Sequence, residues 1–252
     1  WYSQAGTPVI GVKETYDPNE QTLTLYIKQN CPPTPGQATK EPLHIPITLG
    51  LIDKEGKSAI CKLQGQDAEN EETTLELTEP EQSFSFIGLA EKPTVSILRN
   101  FSAPVKLVME RSLDELAFLL SYDSDTFNRW EAGQQLAGQI IAKLIADMQQ
   151  GEALQLDSII IEAIRQVLSQ PWDDQSYFSL LLSLPSEGYL AEQMQVVDVE
   201  AIHKAREFVV RTLAEALQDE LERLYLDNHR DESGQFDAGA IGRRRIKNMC
   251  LS

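Results

Sequence analysis

The hydrophobic period of this chain changes once, and that change limits the folds open to it. Up to about residue 108 apolar side chains recur at every second position, and from Ser112 onward they recur at helical spacing. Leu23, Leu25 and Ile27 point one way, with Thr22, Thr24, Tyr26 and Lys28 the other. Ile45, Ile47, Leu49 and Leu51 repeat the pattern, as do Leu75 with Leu77 and Phe84 with Phe86. Alternation of this kind gives a strand one buried face. Asp17-Pro18-Asn19 and Asp53-Lys54-Glu55-Gly56 supply turn chemistry between the runs. Short strands at this spacing predict a small antiparallel β-sandwich of the Ig-like kind over residues 1–108.

Two stretches in this half are expected to lie outside the strands. Cys31-Pro32-Pro33-Thr34-Pro35-Gly36 carries three prolines, each lacking a ladder donor, so residues 31–43 are read as a rim loop. A Pro-rich docking peptide is the alternative. Asp67 to Glu72 is read as an exposed hairpin tip, since it lacks the Gly and closing Glu of a calcium loop. Asn100-Phe101-Ser102 has the form of a glycosylation sequon and, with no secretion signal, is discounted.

Residues 109–252 are predicted to form an irregular superhelix of helix pairs, HEAT- or armadillo-like, with no repeat at fixed period. Ser112-Leu113-Asp114-Glu115 is a capping box. Asp123-Ser124-Asp125 ends that first helix and caps a second, whose stripe runs through Phe127, Trp130, Leu136, Ile140, Ile141, Leu144 and Met148 to a stop at Gly151. Trp130 and Gly133, one turn apart, are read as a buried ridge and a notch for a neighbouring helix, with a ligand notch as the alternative. Asp157, Asp173-Asp174, Ser186 and Asp198 are further starts. The Asp198 helix is expected to run unbroken to about Asn228, followed by a polar loop through Gln235. Ala240 to Leu251 is read as a last helix with Ile241, Ile246, Met249 and Cys250 near one face.

Charge removes several function classes. With 39 acidic and 22 basic residues, the formal charge is -17, which opposes nucleic acid and anionic membranes as partners. Arg243-Arg244-Arg245 with Lys247 is the one basic cluster. It is read as the polar side of a helix or a patch meeting acidic surface in a larger parent; a nucleic-acid patch is the least favoured reading. Cys31, Cys61 and Cys250 have no framework spacing, which suggests free thiols in a reducing, cytoplasmic setting. No run is long and apolar enough to span a bilayer. A chain that opens on Trp1 and stops in a periodic segment is expected to be an excised piece.

No grouping for catalysis is visible. A hydrolytic zinc site needs about three converging ligands, commonly two His at i and i+4 with a carboxylate. His44, His203 and His229 are far apart, and there is no H-E-x-x-H, G-x-S-x-G, phosphate loop or dinucleotide fingerprint.

Several strings are nevertheless familiar. Trp1-Tyr2-Ser3-Gln4-Ala5-Gly6-Thr7-Pro8, Ile97 through Leu107, Asp123 through Ala137, Leu184-Pro185-Ser186-Glu187, Val197 through Ile202 and Arg245 through Leu251 occur in order along the chain. Together they resemble the bacterial aminopeptidase N family, alanyl aminopeptidases of the gluzincin class of zinc metallopeptidases. The resemblance implies a β-sandwich and the first part of a helical C-terminal domain. The family's zinc motif, catalytic Tyr and substrate-amine segment would precede Trp1, so no catalytic, metal, cofactor or substrate residue is carried over. It also implies partners: the parent's own catalytic and N-terminal domains, and peptide substrates of the whole protein. On this reading the chain is a non-catalytic portion that supports and encloses an active-site chamber, inactive alone, with zinc only in the parent. A free-standing protein- or peptide-interaction module remains the alternative.

Overall fold

The computed structural model describes residues 1–230 and 234–251. They fall into two units, one made of Trp1–Glu115 with Tyr122–Asn128, the other of Leu116–Ser121 with the chain from Arg129 onward.

In the first unit the period-two runs form β1 (Val9–Asp17), β2 (Thr22–Asn30), β3 (Ile45–Ile52), β4 (Ser58–Ala59), β5 (Cys61–Lys62), β6 (Glu69–Asn70), β7 (Glu72–Leu77), β8 (Glu81–Phe86), β9 (Thr94–Ile97) and β10 (Lys106–Met109). One sheet has the order β10-β1-β2-β8; a second has β4-β3-β7 with β9 also on β3; β5 and β6 form a small ribbon. All pairings are antiparallel except β1 with β10, which is parallel. Their inward side chains, among them Ile10, Leu23, Leu25, Ile45, Ile47, Leu75, Leu77 and Phe86, are wholly or almost wholly buried in one core. Each such side chain contributes roughly 1.5–3 kcal/mol by leaving water. The fold is thus an Ig-like sandwich followed by a helical array.

Residues 31–44 form no strand beyond one isolated Thr34–Gln37 bridge, as the prolines require. The acidic tip departs from expectation. Glu69 and Asn70 pair in the β5–β6 ribbon and Glu72 begins β7, so Asp67 and Ala68 before β6 and Glu71 between β6 and β7 lie outside the strands. His44 stands just before β3.

The helices are α1 (Leu113–Tyr122), α2 (Thr126–Gln150), α3 (Ser158–Leu168), α4 (Gln175–Leu181), α5 (Glu187–Glu192), α6 (Val199–Ala216), α7 (Gln218–Asp227) and α8 (Ala238–Cys250). The capping box closes reciprocally: Ser112 N donates to Glu115 Oε2 at 3.0 Å, and Glu115 N to Ser112 Oγ at 3.2 Å. Asp157, Asp174, Ser186 and Asp198 each accept from a backbone N–H of the helix they open. Gly151 ends α2 in the left-handed region at φ 74°, where a side chain would be strained.

Three helical expectations need correction. The helix begun at Asp198 breaks at Leu217 (φ -120°, ψ 20°), giving α6 and α7. At the break Leu217 N still donates to Leu213 O and its own carbonyl accepts from Leu221 N, while Ala216 O accepts from Arg165 Nη2 at 3.2 Å. The break leaves the Leu217 side chain 1% exposed. In α8, Ile241 faces outward and Gly242 inward, because Gly242 meets α4. A Cβ there would stand 2.8 Å from Gln175 Cβ and 3.3 Å from Ser176 N. Trp130 is half-buried rather than buried. Its companion Gly133 does form a notch, filled by Leu120, whose Cδ1 would lie 3.1 Å from an added Cβ. Of the polar stretch Asn228–Gln235, residues 231–233 lie outside the described residues, as does Ser252.

Candidate functional site

The three histidines do not converge. His44 is exposed, 3.9 Å from Glu76. His203, on α6, has Nδ1 2.8 Å from Glu187 Oε1 and Nε2 4.0 Å from Glu207 Oε2. The hydrogen bond with Glu187, and then its charge, hold the His203 pKa above its ordinary value. His229 stacks on Tyr225 at 5.5 Å. Among the described residues no three His, Cys, Asp or Glu side chains gather to hold a metal ion. The described donor sets therefore do not fit a hydrolytic zinc centre. The thiols are free; burial raises the pKa of Cys61 and lifts that of Cys250 to about 11, which suppresses the nucleophilic thiolate.

The most completely built polar centre lies in the first unit, around Arg99. Its guanidinium is buried, and each edge is used. Nε donates to Ser96 Oγ at 2.9 Å, Nη1 to Glu72 Oε1 at 2.7 Å, and Nη2 to Asp123 Oδ1 at 2.7 Å and Ser124 Oγ at 3.0 Å. Asp123 is fully buried, with Oδ2 left without a partner. β3 yields space for the cation at Gly50, where a Cβ would stand 2.6 Å from Nη1. Around it Asn128 Nδ2 donates to Ser96 Oγ at 3.0 Å and Ile97 O at 2.9 Å. Glu72, Ser96, Arg99 and Gly50 were not singled out by sequence reasoning. The available signals were an Arg at the end of an apolar run and a Gly inside a strand, which marks close approach. The centre ties the end of β9 to the segment that opens α2, through Arg99 to Asp123 and Ser124 and through Asn128 to Ile97 O.

A second arginine does similar work in the helical unit. Arg129 Nε donates to Leu120 O at 2.7 Å, while Nη2 donates to Ser121 O and Gln170 Oε1, both at 2.6 Å. It thereby satisfies carbonyls left open at the end of α1. The same guanidinium stacks 4.5 Å from the Trp172 ring.

The basic cluster is dispersed around α8. Arg244 lies over Phe236 at 5.8 Å and Lys247 over Tyr225 at 5.4 Å, while Arg245 borders a groove. That groove, about 440 Å³, is lined by apolar Val210, Leu213, Leu217, Leu221 and Met249. Beside it α7 has no fully buried residue, and Leu226 is exposed. In the sandwich, a groove of about 860 Å³ crosses β1, β2 and β10 near Gly11, Tyr26 and Val108. No helix is long and apolar enough to cross a membrane among the described residues.

Over its full length the chain is similar to Aminopeptidase N of Escherichia coli (strain K12), 38% identical over 251 residues, and to Aminopeptidase N of Haemophilus influenzae, 34% identical over 252 residues. It spans only 28% of the length of each. Among solved structures, the crystal structure of Legionella pneumophila aminopeptidase A in complex with aspartic acid superposes with a TM-score of 0.78 at 27% identity. That match covers 98% of this chain and 27% of the other. Residues 6–110 match a family described as a domain of unknown function (DUF3458) with an Ig-like fold. Residues 113–252, more than half of the chain, match the domain of unknown function (DUF3458_C) with ARM repeats, and the chain belongs to that family.

Proposed function

We propose that this chain is the non-catalytic, C-terminal portion of a zinc aminopeptidase that removes N-terminal amino acids from peptides. The observation that carries this reading is the match over the whole chain to only 28% of the aminopeptidase N relatives. Zinc, the general base and the substrate-amine site then belong to the remainder of the parent. The sandwich supports that remainder, and the helical array encloses the chamber. Enclosure limits entry to short or flexible peptides and keeps the reacting carbonyl away from bulk water. A cytoplasmic setting accords with the three free cysteines.

The purified chain is expected to hold no stoichiometric zinc by elemental analysis and to leave alanyl and leucyl anilides uncleaved. The product of the whole reading frame should hold one zinc and turn them over. Stoichiometric metal with turnover by the 252-residue chain alone contradicts the proposal.

A further inference from the structure

The turn that follows β9 is strained without a glycine. Leu98, Asn100 and Phe101 all lie in the left-handed region, at φ 61°, 56° and 52°. Such backbone persists only where its surroundings over-determine it, and it concentrates at functional surfaces. Here the restraints are explicit. Arg99 is anchored in the buried centre, Asn100 N donates to Asp125 Oδ2 at 2.9 Å, and Asn100 Nδ2 donates to Glu72 Oε2 at 3.3 Å. One residue on, Thr48 N donates to Ser102 Oγ at 3.0 Å.

What this rigid turn presents is Phe101, 70% exposed, with its ring 4.4 Å from that of Phe127. A ring so exposed adds little to the core beneath it. A rigid aromatic at the tip of a fixed turn has the properties of an interface anchor, since little conformational freedom is lost when it is covered. Its surroundings are acidic. Glu72 and Asp123 share one guanidinium and Asp125 accepts from Asn100 N, so negative charge remains, on a chain of net charge -17.

We infer that Phe101 anchors an interaction surface and seats in an apolar, basic-rimmed pocket on the part of the parent polypeptide outside these 252 residues. This rests on the reading above, and on the relatives' length, of which the chain spans only 28%. Complementary charge around an aromatic anchor sets orientation and excludes wrong partners.

Hydroxyl-radical footprinting at Phe101 tests it without altering the protein. In the 252-residue chain the ring should oxidise freely. In the product of the whole reading frame it should oxidise about tenfold more slowly, as for a buried anchor. That protection should shrink as salt rises from about 0.1 M to about 1 M, because exposed charge pairs are screened. Equal oxidation in a product that carries the zinc motif overturns the surface while leaving the proposed function intact. Protection that ignores salt overturns the basic rim. Protection that rises with concentration in the chain alone assigns the surface to a second copy and overturns the occupant. A reading frame with nothing beyond this chain removes the proposed function itself, and the occupant with it.

Discussion

Replacing Arg99 by Met is expected to destabilise the protein by about 3–5 kcal/mol, the usual consequence of removing one partner from a buried ion pair. The loss is large because Asp123 stays behind. Its carboxylate is fully buried, and without Arg99 it would keep only backbone N–H donors such as that of Asp125, at 3.0 Å. Ser96, Glu72 and Ser124 each lose a donor at the same time, although Asn128 Nδ2 still reaches Ser96 and Asn100 Nδ2 still reaches Glu72. Against a total stability of about 5–15 kcal/mol, the urea midpoint should fall by a large fraction. The pair Arg99→Met with Asp123→Leu should recover most of the loss, because apolar replacements of both partners leave no stranded charge. A wild-type midpoint for Arg99→Met alone would show that the guanidinium does not hold this centre.

Gly56→Val is the second large effect, expected at about 2–6 kcal/mol from two separate causes. At φ 82° a β-branched residue is strained by about 1–3 kcal/mol. Its Cβ would also stand 2.3 Å from Tyr122 Cδ1 and 2.6 Å from Cγ, and relieving such overpacking costs about 1–3 kcal/mol more. Gly65→Val separates the two. Gly65 has φ 84° but nothing within 4 Å of an added Cβ, so only the strain should appear. Equal losses at the two positions would show that contact with Tyr122 is unimportant.

The architecture was legible because it depends on periodicity and local hydrogen bonding. Period two put Leu23, Leu25 and Ile27 on one buried face, and short polar side chains at Ser112, Asp157, Asp174, Ser186 and Asp198 mark real helix starts. What stayed hidden depends on distance along the chain. Arg99 finds Glu72 and Asp123 at separations of 27 and 24 residues, and no local pattern encodes such a pairing. The break at Leu217 has no Gly or Pro to mark it; it comes with burial of the Leu217 side chain and with Arg165 donating to Ala216 O. Gly242 lies mid-helix with no local mark of its role, which is to admit Gln175 and Ser176 of α4. Asp123 to Ala137 marks the change of period in sequence; in three dimensions its first residues hold the Arg99 centre and its Gly133 receives Leu120.

If this chain is part of a larger zinc aminopeptidase, the reading frame that encodes it carries an H-E-x-x-H motif and a downstream Glu ligand upstream of Trp1, and sequencing that frame reads this out. A frame that opens near Trp1 and closes near Ser252, with no such motif, would contradict it and make the chain a free-standing interaction module.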